Sequence, residues 1–172
     1  GFFMPRDILT QMILYFGTDS KRIAHAMKVY SFSYALWEAE AAENGIPESD
    51  SRKESLLIAA ILHDIGIHEA EKKYQSAAGK YQEIEGPPIA ERIMKNCSVP
   101  DKIAERVLFL IGNHHSYQKI DDTDFQILVE ADLIVNLEED RLGRDAVLAA
   151  RERYMKTAGA RRILDSYLLL NE

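Results

Sequence analysis

Seven consecutive apolar residues, Leu56-Leu57-Ile58-Ala59-Ala60-Ile61-Leu62, run straight into His63-Asp64-Ile65-Gly66. A helix that is apolar on every side is a buried helix, so the rest of the chain must be arranged around this one. Its ending adds the sharper constraint. A helix C-terminus carries partial negative charge, which disfavours a carboxylate there unless a cation compensates it. Burial among apolar neighbours raises that cost. A divalent metal ion would relieve both problems, and it would need further ligands from elsewhere in the sequence.

Start and stop signals divide the chain into helices joined by short loops. A short amphipathic helix is expected over residues 6–16, ended by Gly17. Thr18-Asp19-Ser20 offers N-caps for a long helix to about Glu43, stopped by Asn44-Gly45 with Pro47 just beyond. Ser49-Asp50-Ser51 caps the apolar helix, and a short helix follows from Ile67 to Tyr74. Ser76-Ala77-Ala78-Gly79 reads as a loop. Pro87-Pro88 is expected to open a helix through Asn96, because proline is tolerated in a first turn. Pro100-Asp101 opens another that ends near Gly112-Asn113. Asp121-Asp122-Thr123-Asp124 caps a helix through Leu137, and helical stretches follow at about 143–156 and 159–170. No alternating β-branched run is flanked by hairpin turns. The expectation is one all-α domain, a single-domain helical bundle spanning residues 1–172.

Composition narrows the partners. Net charge is -7 and no Lys/Arg-rich block stands out, so a basic face for a nucleic-acid polymer or a membrane surface is not expected. A small anionic substrate remains compatible, since a metal and a few local cations can override a negative total. Cys97 is the only cysteine, which excludes an intramolecular disulfide and a Cys-built metal site and leaves a small buried hydrophobe. No run is long enough to span a bilayer. The opening Gly1-Phe2-Phe3-Met4-Pro5 lacks the basic region and apolar stretch of a secretion signal, so the cytoplasm is the expected compartment.

Two more helices direct polar residues inward. The long second helix has an apolar stripe at Val29, Phe32 and Leu36, and continuing it back by four lands on His25. Taken alone, His25 reads as a core histidine satisfied by a backbone carbonyl. The helix after Asp124 has a stripe at Phe125, Leu128 and Val135 with Asp132 upon it. An inward mid-helix aspartate is either a metal ligand or half of a buried ion pair. Imidazole and carboxylate ligands together suit Mn, Fe, Co, Ni, Zn or Mg. Tyr30, Tyr34 and Trp37, at helical spacing, read as core rather than as a base-stacking platform.

The order His25, His63-Asp64, Asp132 resembles the HD-domain superfamily of metal-dependent phosphohydrolases, whose signature is His…His-Asp…Asp on a helical bundle. The matching segments are His25-Ala26-Met27-Lys28-Val29, the apolar run through His63-Asp64-Ile65-Gly66, and Ile127 to Ile134 around Asp132. Glu85-Gly86-Pro87-Pro88-Ile89-Ala90 and Asn113-His114-His115 also resemble family features, and the likeness runs from about residue 20 to 138. It implies that His25, His63, Asp64 and Asp132 hold one divalent cation. Family members with two metals carry an extra histidine near a Gly-led helix start, where this chain reads Tyr81-Gln82-Glu83-Ile84-Glu85. One metal is therefore expected, with Glu83 or Glu85 and His114 the residues left for a weak second site.

The implied reaction is hydrolysis of a phosphate ester of a small molecule, such as a nucleotide. The metal acidifies water and neutralises a phosphoryl oxygen. Asp64 is expected to ligate it and orient the attacking water. A leaving alkoxide needs a proton, and His114, with His115 beside it, follows Gly112 at a helix end able to reach a site mouth. Lys28, one turn from His25, and Lys80, after Gly79, are the expected phosphate-binding cations, with His115 as a further substrate contact. Arg22 and His68 read as solvated surface. A monomer or homodimer is expected, with the apolar Ile163, Leu164, Tyr167 and Leu168 available for internal packing or an interface. Two other readings stand beside the enzyme: a catalytically weak regulatory or sensor module binding nucleotide or metal, and a structural bundle in which His25 and Asp132 form a buried ion pair.

Overall fold

The computed structural model describes residues 5–169. The opening segment 1–4 and residue 170, the expected end of the last helix, lie outside these. Among the described residues there are nine α-helices and no strand. They are α1 (Pro5–Phe16), α2 (Ser20–Asn44), α3 (Arg52–Leu62), α4 (Ile67–Tyr74), α5 (Gly79–Asn96), α6 (Asp101–Asn113), α7 (Thr123–Glu139), α8 (Arg144–Tyr154) and α9 (Ala158–Leu164). A single 3₁₀ turn, Tyr117–Lys119, separates α6 from α7. None of the described helices is long and apolar enough to cross a membrane.

The apolar helix α3 is the hub. Every residue from Ser55 to Leu62 is buried, and α1, α2, α6 and α7 all pack against it. α2 and α7 also pack on each other, as do α5 and α6. Local chemistry sets the helix ends. Asp19 caps α2 by accepting from the Arg22 backbone N–H, and Gly45 closes it in a left-handed conformation at φ 65°. Asp122 caps α7 through the Thr123 N–H. Arg106 then pins the first turn of α7 to α6, reaching Asp124 at 2.6 Å and Asp121 at 2.8 Å.

Four expectations change. α5 begins at Gly79, not at Pro87, and both prolines lie inside it. They deprive the helix of two N–H donors, at a position where packing overrides that cost. Gly66 and Gly86 meet backbone to backbone there: a Cβ on Gly66 would lie 2.4 Å from the Gly86 nitrogen. The last helical stretch is divided, with α9 ending at Leu164 and a π-helical turn running Asp165–Leu169. Leu164 is buried, whereas Tyr167 is exposed and lies 5.4 Å from the Phe32 ring. Of the aromatic set on α2, Trp37 is core but Tyr34 is exposed, under the Lys53 ammonium. Cys97 caps α5 and is half-buried rather than buried.

Candidate metal centre

α3 and α6 end in the same way. His63 caps α3 and its Nδ1–H donates to the Ala60 carbonyl at 2.7 Å; His114 caps α6 and its Nδ1–H donates to the Ile111 carbonyl at 2.7 Å. Each histidine thus takes up a carbonyl, three residues back, that a helix end leaves without an intrahelical partner. The consequence lies on the other side of the ring. In the neutral ring a protonated Nδ1 leaves the lone pair on Nε2, and the two rings sit edge to face with centroids 5.4 Å apart.

His25 comes in from α2 by a different anchor. Its Nδ1–H donates to Glu139 at 3.0 Å, and its Nε2 lies 3.1 Å from His63 Nε2 and 3.1 Å from Asp132 Oδ1. His63 Nε2 is 3.2 Å from the same Asp132 oxygen. Asp64 uses both of its oxygens: Oδ2 is 3.3 Å from His25 and 3.4 Å from His63, and Oδ1 is 3.7 Å from His114. So the structure brings His25, His63, Asp64 and Asp132 together from α2, the α3–α4 turn and α7. Imidazoles fixed through one nitrogen by carbonyl or carboxylate, with the other nitrogen facing carboxylates, are the arrangement metal-ligating histidines adopt.

The donors form two groups that share Asp64. His25, His63 and Asp64 have ligand atoms within 4.8 Å of one another, and so do Asp64, His114 and His115. His114 Nε2 is buried with no hydrogen-bond partner. Such an atom left unpaired costs about 1–3 kcal/mol, which an ion would offset. This replaces the expected route to a second site. Glu83 instead accepts from the Ser116 hydroxyl, and Glu85 accepts from Lys73 and Tyr74, so neither completes a cluster with His114.

The charges follow from this crowding. Burial opposes the charged form of His63, but Asp64 and Asp132 outweigh it and lift its pKa to about 10. Burial likewise favours neutral Asp64, yet His63, then His114, hold its carboxyl down at about 2. Asp132 is held well below the usual carboxylate range, against burial, by His63 and His25. His115 moves the other way, to about 4, through desolvation and then the neighbouring His114, whose ring lies 4.0 Å away. Gly79 leaves the space for this ring: a Cβ there would lie 2.7 Å from it.

A cavity of about 420 Å³ opens over the donors, lined by Lys21, Arg22, Gln82 and Asn136 as well as His115 and Asp132. The expected phosphate cations are engaged elsewhere. Lys28 pairs with Glu138 at 3.5 Å and Glu139 at 3.6 Å, and Lys80 lies 4.9 Å over the Tyr81 ring; neither lines the cavity. Arg22, read as surface, is in the cavity wall. His68, also read as surface, donates to Asp19 at 2.7 Å. Glu139, Gln82 and Asn136 were not singled out from sequence. Asn136 and Glu139 follow Asp132 by four and seven residues, so helical periodicity could have placed them on its face. A second, more apolar groove of about 450 Å³ runs by Phe32 and Tyr167 and holds none of these donors.

Comparison with protein-family models, with curated proteins and with solved structures returns no match for this chain.

Proposed function

We propose that this chain is a metal-dependent phosphohydrolase of the HD-domain type that cleaves a phosphate ester of a small molecule. The observation that carries the reading is the set of anchored imidazoles. His25, His63 and His114 each spend one nitrogen on a fixed acceptor and turn the other toward Asp64 or Asp132. A structural ion pair between His25 and Asp132 would need only one of them, and would leave the His114 Nε2 lone pair unused.

His25, His63, Asp64 and Asp132 would hold a divalent ion, and Asp64, His114 and His115 a second. Bound there, such an ion would supply an acidified water as nucleophile near neutral pH and would offset charge on the phosphoryl oxygens. The chain's own residues do the rest. Glu139 orients His25, the Ala60 and Ile111 carbonyls orient His63 and His114, and Asp64 presents an oxygen to each donor group. His114, with its Nδ1 proton committed to Ile111, would offer its Nε2 lone pair to the second ion, and a nitrogen so used cannot protonate a leaving oxygen. His115 stays neutral near pH 7, which suits a ligand better than an acid. Arg22 and Lys21 supply positive charge in the cavity wall.

The test compares wild type with Asp132→Asn, both prepared without chelator or a His tag. Elemental analysis should find one to two divalent ions per wild-type chain and few in the variant. Hydrolysis of p-nitrophenyl phosphate should disappear on chelation, return with the re-added ion, and be lost in the variant. No metal in either protein after soaking with Mn or Ni would overturn the proposal.

A further inference from the structure

Buried polar side-chain atoms without partners are few here: Arg22 Nε, Ser33 Oγ, Gln82 Oε1 and His114 Nε2 among the described residues. Arg22 and Gln82 line the cavity, and His114 reaches Asp64, which lines it too. Protein interiors rarely leave such atoms unpaired, and in a cleft they mark where a ligand completes the pairing. His114 Nε2 belongs to the second donor group. A guanidinium cannot ligate a cation, so Arg22 calls for an anion instead.

Each of the two residues is already fixed on one side. Gln82 Nε2–H donates to the Ala77 carbonyl at 2.6 Å, which sets the amide's orientation and leaves Oε1 as an acceptor. Gln82 is only 7% exposed, so its carbonyl has little water to turn to. It asks for an N–H or O–H. Arg22 Nη2 donates to Glu71 at 3.0 Å, which braces the guanidinium while Nε stays free. Lys21 adds a second cation beside it, and the same wall carries the Glu139 and Asp140 carboxylates. That mixture accommodates one phosphoryl group and repels a chain of them.

We propose that the cavity takes a phosphate monoester whose carbon part bears hydroxyl or amino hydrogens. Arg22 holds a phosphoryl oxygen, and the Gln82 carbonyl accepts one of those hydrogens and determines specificity. This rests on the cavity being the substrate site of the hydrolase reading, but binding tests it apart from turnover.

The test is calorimetric binding to the metal-loaded protein of two non-hydrolysable probes: the phosphonate analogue of glycerol phosphate, and propylphosphonate, which lacks the hydroxyls. Wild type should prefer the hydroxylated probe by about tenfold, the size of one net hydrogen bond to a desolvated acceptor. Gln82→Leu should erase that preference without weakening propylphosphonate, and Gln82→Met should do the same if the first variant folds poorly. Arg22→Met should weaken both probes by about tenfold or more, as for a charged hydrogen bond. A wild type that binds neither probe or shows no preference, or Gln82 variants that keep the preference, would overturn the proposal. So would loss of metal on Gln82→Leu, which would assign the carbonyl to the ion. Binding with the expected pattern but no turnover of any ester would leave this clamp standing and remove the hydrolase. Turnover of esters with an unchanged probe preference would remove only the clamp.

Discussion

The Nδ1 of His25 finds its acceptor 114 residues further along the chain, at Glu139, and Lys28 stands behind that carboxylate at 3.6 Å. Carboxylates that orient a ligating histidine matter to affinity without touching the ion. Glu139→Gln should therefore weaken divalent-ion binding by about 10- to 100-fold, read by competition with a chelating dye. The melting temperature of the metal-free protein should hardly move; unchanged affinity would remove Glu139 from the site. The stripe through Val29, Phe32 and Leu36 was enough to turn His25 inward from sequence alone. What its outer nitrogen meets depends on how α2 crosses α7, which no local pattern encodes. The same crossing explains Lys28. Its place on the helix was legible, but Lys28 does not line the cavity, and its charge is taken up by Glu138 and by Glu139 in the cavity wall.

The turn carrying His63 and Asp64 is held against α5 by the backbone approach of Gly66 to Gly86. A methyl group on Gly66 would collide with main-chain atoms, which cannot rotate away as a side chain could. Gly66→Ala should cost about 1–3 kcal/mol, the scale of overpacking, and lower the melting temperature by about 5 °C. Gly112→Ala, inside α6 with its nearest neighbours at 3.6 and 3.8 Å, is the control and should leave the melting temperature unchanged or raise it. Equal melting temperatures for the two variants would contradict the crossing. This same contact explains why α5 starts well ahead of the Pro87-Pro88 signal. Pro87-Pro88 carries the local signal of a first turn, and Gly79 does not. Tertiary packing around Gly86, buried between Gly66 and Ile111, sustains the helix through both prolines. Where the signal was a side chain capping its own backbone, as at Asp19 and Asp122, sequence and structure agree closely.

Over the whole molecule, the donor cluster makes stability depend on pH when no ion is present. His63 has a folded pKa of about 10 against an ordinary 6.5. Its contribution is complete below pH 6.5 and fades as pH rises through about 10. Asp64, at about 2 against an ordinary 3.8, contributes above 3.8 and loses that contribution as pH falls through about 2. The chelated protein should melt highest near pH 6.5, lower toward pH 4 because folded His115, at about 4, resists the proton its unfolded form takes up, and lower again toward pH 9.5, whereas the metal-loaded protein should keep most of its alkaline stability. A flat alkaline profile for the chelated protein would show that His63 carries no extra proton. The all-α architecture was legible because caps, stops and the apolar α3 run are local. The second donor group was not, because His115 joins it only where Gly79 lets the ring lie close. The imidazolium held between Asp64 and Asp132 has one more consequence, visible from the solvent side. An ion entering this site would have to evict a proton, so loading would be an exchange: in weakly buffered solution it would register as acidification, and the chain would compete for scarce metal best in alkaline surroundings.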